Sequence, residues 1–210
     1  MTALIGEHAG AVVFFAILLL FERLRRTPAL ALVRHPMFAY LVRGALVAGY
    51  FALSGVDPIA WFQPSDSRWI ALGVIVAAVL AVARRVDVAS LARGDPTMVL
   101  QATYLAIVVA VVEELIFRGA FVLVAATAPM TALLASLGSS VAYVVWRAVA
   151  YRERDSRGVA LVFAVALAAG AVTAIARSLW PAVLAHSAYA LVAGPPRASR
   201  HAPQLHPESG

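Results

Sequence analysis

Long apolar runs are the feature that most constrains the fold of this chain. A helix that crosses the hydrocarbon core of a bilayer needs roughly 20 predominantly apolar residues. Seven stretches approach that length, which predicts an all-α, polytopic bundle of about seven transmembrane helices. The predicted spans are Ala3–Phe21, Met37–Gly55, Trp69–Ala83, Met98–Ala125, Met130–Ala150, Val159–Ala176 and Leu179–Ala193. The fourth is longer than one crossing requires and the last is short, so six or eight helices stay open.

Composition excludes a water-soluble globule. Of the 210 residues 62% are hydrophobic and 13% are charged, whereas soluble domains carry about a quarter charged residues. The chain has no cysteine, which excludes disulfides, thiolate metal sites and cysteine nucleophiles. Its net charge of +6 would suggest nucleic acid in a soluble chain. In a membrane chain it reflects basic cytoplasmic loops instead, and we expect a lipid bilayer and no nucleic acid as partners.

The arginines predict how the chain is oriented. Every basic residue is an arginine, and twelve of them lie in the loops and tail on one predicted side. These are Arg23, Arg25, Arg26, Arg34, Arg84, Arg85, Arg93, Arg152, Arg154, Arg157, Arg197 and Arg200. The loops of the other side hold only Arg68 and Arg177. The positive-inside rule then predicts a multi-pass cell-membrane protein with its N-terminus outside and its C-terminus in the cytoplasm.

The chain divides into three predicted parts. Residues 1–97 form an N-terminal set of three transmembrane helices, and residues 98–193 form a helical core that carries the charged residues discussed below. Residues 194–210 contain four prolines among polar residues and are predicted to be a disordered cytoplasmic tail.

Several charged residues lie where lipid is expected. Glu113, Glu114 and Arg118 fall within six residues of the fourth span, and Arg43, Arg147 and His186 lie in other spans. A charge at mid-bilayer costs about 2.5–3.5 kcal/mol on insertion scales, so such residues normally face a bundle interior or a wet cavity. Their accumulation indicates a functional site. The alternative is an inert internal salt bridge.

Helix geometry separates the two glutamates. Glu114 and Arg118 are four residues apart with the acid first, so they can pair on one face. Glu113 is rotated by about 100° from Glu114, which leaves it outside that pair. The pattern therefore predicts that Arg118 fixes Glu114 while Glu113 faces a polar cavity as a general base.

The remaining polar residues in the spans leave alternatives open. Ser136, Ser140, Tyr143 and Arg147 share one face of the fifth span, with Ser139 beside them. For the serines we favour bonds between helices, whereas Arg147 either snorkels to the cytoplasmic interface or faces inward. His186 is a hydrogen-bond partner of another helix or, together with Glu113, an acid–base group, electrophile or metal ligand. Arg43 is interpreted as structural or interfacial.

The C-terminal half resembles the CPBP family, the CAAX-protease and bacteriocin-processing (Abi) group of intramembrane proteases. The resemblance covers roughly Met98 to Ala193 and begins with Glu113-Glu114-x-x-x-Arg118, which matches the first family motif in full. The second motif aligns with Tyr143-x-x-x-Arg147, and the third with His186-x-x-x-Ala190. This chain therefore has arginine where the family has its first histidine, and Ala190 where the family has asparagine or aspartate.

The resemblance implies roles for the candidate catalytic residues. Glu113 would activate water and His186 would stabilise the oxyanion, supported by Glu114 and Arg118. Arg147 cannot replace a histidine as base or metal ligand because guanidinium is not deprotonated in proteins, but it can donate hydrogen bonds to a substrate carbonyl. A metal site is poorly supplied with ligands, so no metal or other cofactor is expected.

Two main hypotheses follow for the function. The first is a CPBP-type intramembrane endopeptidase with Glu-activated water, of reduced or altered activity, acting on a peptide or membrane-protein substrate such as prenylated tails, leader peptides or sorting segments. The second is a non-catalytic relative that binds peptides or partner helices in immunity or regulation. A small-solute or proton carrier is disfavoured because the ionisable residues converge in one zone. A rhomboid-type serine protease is disfavoured because Leu137-Gly138-Ser139-Ser140 lacks the Gly-x-Ser-Gly arrangement.

Overall fold

The computed structural model describes residues 2–63, 66–83, 96–124, 129–151 and 156–193. Within those ranges the chain forms seven α-helices and no strand. They are α1 (Thr2–Leu24), α2 (Pro36–Ser54), α3 (Ser67–Ala83), α4 (Pro96–Glu114), α5 (Pro129–Tyr151), α6 (Ser156–Ala176) and α7 (Trp180–Ala193). The prediction of an all-α helix bundle is confirmed, and the described residues contain seven α-helices, as expected. The predicted disordered tail, residues 194–210, lies outside the described residues.

Proline and glycine mark the ends of α2. The helix begins at Pro36, where the missing backbone N–H is not needed by the first turn. It ends before Gly55, whose φ of 68° is left-handed and whose N–H bonds to the carbonyl oxygen of Phe51. The α4 and α5 helices also begin at prolines.

The first helix is longer than predicted. The apolar run ends at Phe21, but α1 continues to Leu24 and includes Glu22, whose side chain is completely buried. The hydropathy pattern places Glu22 at the start of a loop, because hydropathy alone does not show that two arginines neutralise Glu22 inside the bundle. These are Arg25, just after the end of α1, and Arg43 on α2.

The predicted fourth span is not one continuous α-helix. After Glu114 the backbone becomes π-helical over Leu115–Leu123, and the N–H of Val124 bonds five residues back to the carbonyl of Gly119, at 3.3 Å. This π segment is the centre of the bundle: it contacts α1, α2, α5 and α6. A wider turn allows consecutive side chains to point into these different neighbours, and all five residues from 116 to 120 are buried.

Close helix packing holds the second half of the bundle together. The most extensive contacts join α3 to α7 and α5 to α6. At the first of these, a Cβ on Gly73 would lie 2.9 Å from the Cα of Pro181, so only glycine permits the approach. Two helical stretches of the described residues, Met37–Ser54 and Met130–Tyr151, are long and apolar enough to cross a membrane.

The linkers between helices meet in two groups. Arg25, just after α1, donates to the carbonyl of Ala150 near the end of α5, at 3.3 Å. At another pair of linkers, the N–H of Leu179 donates to the carbonyl of Trp61, at 3.0 Å. In each contact, the two segments lie at helix ends that the arginine pattern assigns to the same side of the membrane. Which side faces the cytoplasm stays a prediction.

Candidate functional site

The site is built where the end of α4 meets α7. His186 Nδ1 lies 2.8 Å from Glu114 Oε1, and His186 Nε2 lies 3.4 Å from Glu113 Oε2. Both glutamate side chains are only 2% exposed, and that of His186 is 11% exposed. One imidazole therefore bridges two consecutive carboxylates, although 72 residues separate it from Glu114.

Arg118 pairs with Glu114, four residues earlier, as the sequence spacing predicts. Its Nε lies 3.2 Å from Glu114 Oε2, and both side chains are almost completely buried. Neither of these two atoms has an aligned hydrogen-bond partner among the described residues. Arg118 is the fourth residue of the π segment. Its Nη2 donates to the carbonyl of Ala166 on α6, at 3.3 Å.

Glu113 is surrounded by three tyrosine hydroxyls. Tyr40 donates to Oε1 at 2.6 Å, Tyr151 donates to the same oxygen at 3.2 Å, and Tyr143 donates to Oε2 at 3.1 Å. The hydroxyls of Tyr40 and Tyr151 also lie 2.6 Å apart. A carboxylate that is only 1% exposed thereby receives hydrogen bonds in place of the water it has lost.

Sequence reasoning recognised Tyr143 only as part of a stripe and missed Tyr40 and Tyr151. A signal for Tyr151 was present, because it continues the stripe of Tyr143 and Arg147 at the same spacing of four residues. Tyr40 had a weaker signal: it lies three residues before Arg43 and shares its helix face.

Arg147 faces inward. Its Nη1 donates to the hydroxyl of Tyr143 at 3.3 Å, and its guanidinium carbon lies 5.3 Å from the ring centroid of Tyr151. Since Tyr143 in turn donates to Glu113, the arginine reaches the first glutamate through a tyrosine. Of the two alternatives for Arg147, the structure shows the inward-facing one.

A cavity of about 80 Å³ opens beside these residues. Its polar lining comes from Glu114, Arg118, Tyr143, Arg147, His186 and Tyr189. Its apolar lining comes from small and branched residues of α6 and α7: Val162, Val165, Ala166, Ala169, Ala182 and Ala185. Glu113 lies behind this lining, next to Tyr143 and His186. The sequence predicts that Glu113 faces the cavity, whereas of the two acids it is Glu114 that lines it. The cavity is therefore lined by charged and polar residues on one part of its surface and by aliphatic residues on the rest, which would accommodate an aliphatic side chain.

A second buried ionic group lies behind the tyrosines. Glu22 Oε1 accepts from Arg43 Nε at 2.7 Å and from the indole N–H of Trp146 at 3.3 Å, while its Oε2 accepts from Arg25 at 2.6 Å. The guanidinium of Arg43 also lies 4.3 Å from the ring centroid of Tyr40. Arg43 is thus a buried structural residue that links α1 and α2 to the site.

The serines of α5 are structural. Ser139 donates to the carbonyl of Phe117 in the π segment at 2.6 Å, which is the kind of bond between helices that we expected. Ser136 and Ser140 instead donate to carbonyls one turn back in their own helix. None of the three hydroxyls is directed at the glutamates.

The residues present do not fit a metal ion. Glu113 already accepts three hydroxyl hydrogen bonds, and His186 Nδ1 is engaged by Glu114. Among the described residues, no three His, Asp or Glu side chains are grouped so as to hold a metal. The arrangement instead suits acid–base chemistry on a water molecule and hydrogen bonding to a polarised carbonyl.

Comparison with known proteins supports the resemblance found in the sequence. Residues 95–192 match the family model described as type II CAAX prenyl endopeptidase Rce1-like. No curated protein and no solved structure matches the chain. The matched segment contains all five candidate site residues but excludes α1 and α2, which supply Glu22, Tyr40 and Arg43.

Proposed function

We propose that this membrane protein is an intramembrane endopeptidase of CPBP type, because residues 95–192 match the family model described as type II CAAX prenyl endopeptidase Rce1-like. It cleaves peptide bonds at or within the bilayer by attack of a water molecule activated by Glu113. The observation that carries the proposal is the position of His186, which bridges Glu113 and Glu114 at the edge of a cavity.

The proposed roles follow from how the site residues are connected: His186 lines the cavity, and Glu113 lies behind the lining with its Oε2 3.4 Å from His186 Nε2. Glu113 takes a proton from water as the water oxygen bonds to the substrate carbonyl carbon, and it later gives that proton to the leaving amine. His186 donates a hydrogen bond to the oxyanion that forms. Glu114 orients the imidazole through Nδ1, and Arg118 balances the charge of Glu114.

Arg147 occupies the position of the family's first histidine. It lines the cavity and donates to Tyr143, which donates to Glu113. Because a guanidinium cannot act as a base, we propose that Arg147 donates a hydrogen bond to the substrate and orients Glu113 through Tyr143. The methyl side chain of Ala190 has no polar atom that could stabilise the oxyanion.

These departures favour a second candidate, a non-catalytic relative that binds peptides or partner helices. Loss of an oxyanion donor costs about 10²–10³ in rate, and loss of an acid–base group costs roughly 10²–10⁴. Glu113 also lies behind the cavity lining and accepts hydrogen bonds from three hydroxyls, which limits its access to a water molecule and favours the non-catalytic candidate. In that case the cavity recognises a peptide segment without cleaving it.

The proposed membrane arrangement is multi-pass, with the N-terminus outside and the C-terminus in the cytoplasm. The paired linkers support it, because Arg25 meets the end of α5 and Trp61 meets Leu179, as the predicted sides require. The two proposed helical parts are residues 1–97 and 98–193, a boundary that falls two residues inside α4. The proposed substrate is a peptide, or a membrane protein with an accessible segment.

Peptide cleavage by purified protein in detergent tests the proposal. Wild-type protein and the Glu113→Ala variant are incubated with a quenched peptide library that includes prenylated CAAX-type peptides. We expect the variant to lose roughly 10²–10⁴ in rate, the contribution of a general base. Asp66→Asn, which alters a carboxylate in the linker before α3, is the control and should cleave as wild type does.

Two outcomes decide between the candidates. Equal turnover by the wild-type protein and Glu113→Ala would exclude the proteolytic mechanism. Saturable peptide binding without cleavage by either protein would favour the non-catalytic relative.

A further inference from the structure

The α2 helix contributes a hydrogen bond to the site although it lies outside the Rce1-like segment. Tyr40 donates to Glu113 Oε1 at 2.6 Å, the shortest of the three tyrosine hydrogen bonds. Tyr151, near the end of α5, donates to the same oxygen at 3.2 Å. Glu113 is therefore held from two helices that are distant from each other in sequence.

A buried carboxylate needs such donors to keep one orientation. Glu113 is 1% exposed, and Arg118 pairs with the neighbouring glutamate instead. Burial of a polar group without hydrogen bonds is costly, and hydrogen bonds to an ionised acceptor are roughly twice as strong as neutral ones. With Tyr40 and Tyr151 on Oε1, the other oxygen, Oε2, is directed toward His186 and Tyr143, both of which line the cavity.

Tyr40 is itself fixed by groups behind it. The guanidinium of Arg43 lies 4.3 Å from the centroid of its ring, and Arg43 is anchored to Glu22 of α1 at 2.7 Å. The hydroxyl of Tyr151 lies 2.6 Å from that of Tyr40. These contacts hold the ring and the hydroxyl oxygen of Tyr40 beside Glu113.

We infer that Tyr40 and Tyr151 are positioning residues for Glu113, and that α2 thereby completes a reaction centre whose other members lie within residues 95–192. The inference rests on the proposed function for the statement that Glu113 reacts. The hydrogen bonds themselves are independent of that function. Neither tyrosine lines the cavity, so both act through Glu113 and not on the substrate.

Infrared spectroscopy and kinetics on matched variants test the inference. Tyr40→Phe and Tyr151→Phe keep the ring and remove the hydroxyl. Tyr104→Phe is the control, because Tyr104 is 64% exposed on α4. For each protein, the difference spectrum against its Glu113→Gln counterpart isolates the carboxylate stretching bands of Glu113. Thermal unfolding followed by circular dichroism shows whether each variant is folded.

We expect Tyr40→Phe and Tyr151→Phe to shift the Glu113 bands, and Tyr104→Phe to leave them unchanged. In the cleavage assay we expect kcat to fall roughly tenfold for Tyr40→Phe, the effect of one lost hydrogen bond to a charged group, with KM unchanged. A loss of stability alone would not move the carboxylate bands of a folded variant, and a hydrogen bond without a positioning role would leave kcat unchanged.

The two arms separate this inference from the proposed function. If the wild-type protein cleaves no peptide but the bands shift in Tyr40→Phe, the function fails while the positioning of Glu113 stands. If the wild-type protein cleaves and the bands or kcat of folded Tyr40→Phe equal those of the wild type, the positioning role is overturned and the function stands.

Discussion

Replacing Arg43 by methionine would break an ion pair that lies completely inside the bundle. Arg43 Nε and Glu22 Oε1 are 2.7 Å apart, and the two side chains are 1% and 0% exposed. Removing one partner of a buried pair leaves the other charge uncompensated, at a cost of about 3–5 kcal/mol. Arg25 also pairs with Glu22, at 2.6 Å, so we place the loss in the free energy of unfolding at about 3 kcal/mol, the low end of that range.

Titration with sodium dodecyl sulfate in mixed micelles, followed by circular dichroism, measures this free energy. A double-mutant cycle with Glu22→Gln isolates the pair, and we expect the double variant to lose less than the sum of the single losses by about 1–3 kcal/mol. Arg68→Met is the matched control. Arg68 lies at the same 2.7 Å from Asp66, but its side chain is 87% exposed, and we expect no measurable change.

The contrast between the two arginines decides whether the reasoning holds. Both ion pairs have the same N–O distance and differ in burial, so a difference in cost must come from the surroundings. Equal losses for Arg43→Met and Arg68→Met would refute the statement that burial sets the energy. Strict additivity of Glu22→Gln and Arg43→Met would show that the two side chains do not interact in the folded protein.

Two further changes test packing and chemistry. Gly73→Ala places a Cβ 2.9 Å from the backbone of Pro181 and should lower the free energy of unfolding by about 1–3 kcal/mol in the same titration. Gly49→Ala is the control, because its Cβ meets nothing within 4 Å, and it should not destabilise the protein. Equal effects of the two substitutions would contradict the close contact at Gly73. The double variant Arg147→His with Ala190→Asn restores the family residues, and we expect peptide cleavage to rise by roughly 10² or more. An unchanged rate would show that these two positions do not limit the activity.

The helices and the ionic cluster could be predicted because both leave a direct trace in the sequence. The lengths of the apolar runs predict the positions of the helices. The predicted end of α1 is too early, because in the sequence a buried acid such as Glu22 looks like the first residue of a loop. The cost of charges in lipid singled out Glu113, Glu114, Arg118 and His186, and the structure brings these four together. Their catalytic roles stay predictions.

The tyrosines and the π segment could not be predicted in the same way. A tyrosine in an apolar span is equally suited to core packing, to the interface and to hydrogen bonding, so Tyr40 has no distinctive signal. Its partner Glu113 is 73 residues away, and only the folded bundle shows the contact. The π segment has only nine residues, which is too short for its period to be recognised in the sequence.

Nitrogen NMR of the histidine rings tests most directly whether the two acids and His186 form one cluster. The chain has five histidines, and selective ¹⁵N labelling with His186→Gln as reference assigns the signals of His186 in detergent micelles. We expect Glu114→Gln to move the Nδ1 signal of His186 and Glu113→Gln to move its Nε2 signal, while the other four histidines are unaffected. If neither substitution changes the His186 signals in folded protein, the acids and the imidazole do not meet, and the proposed site does not exist.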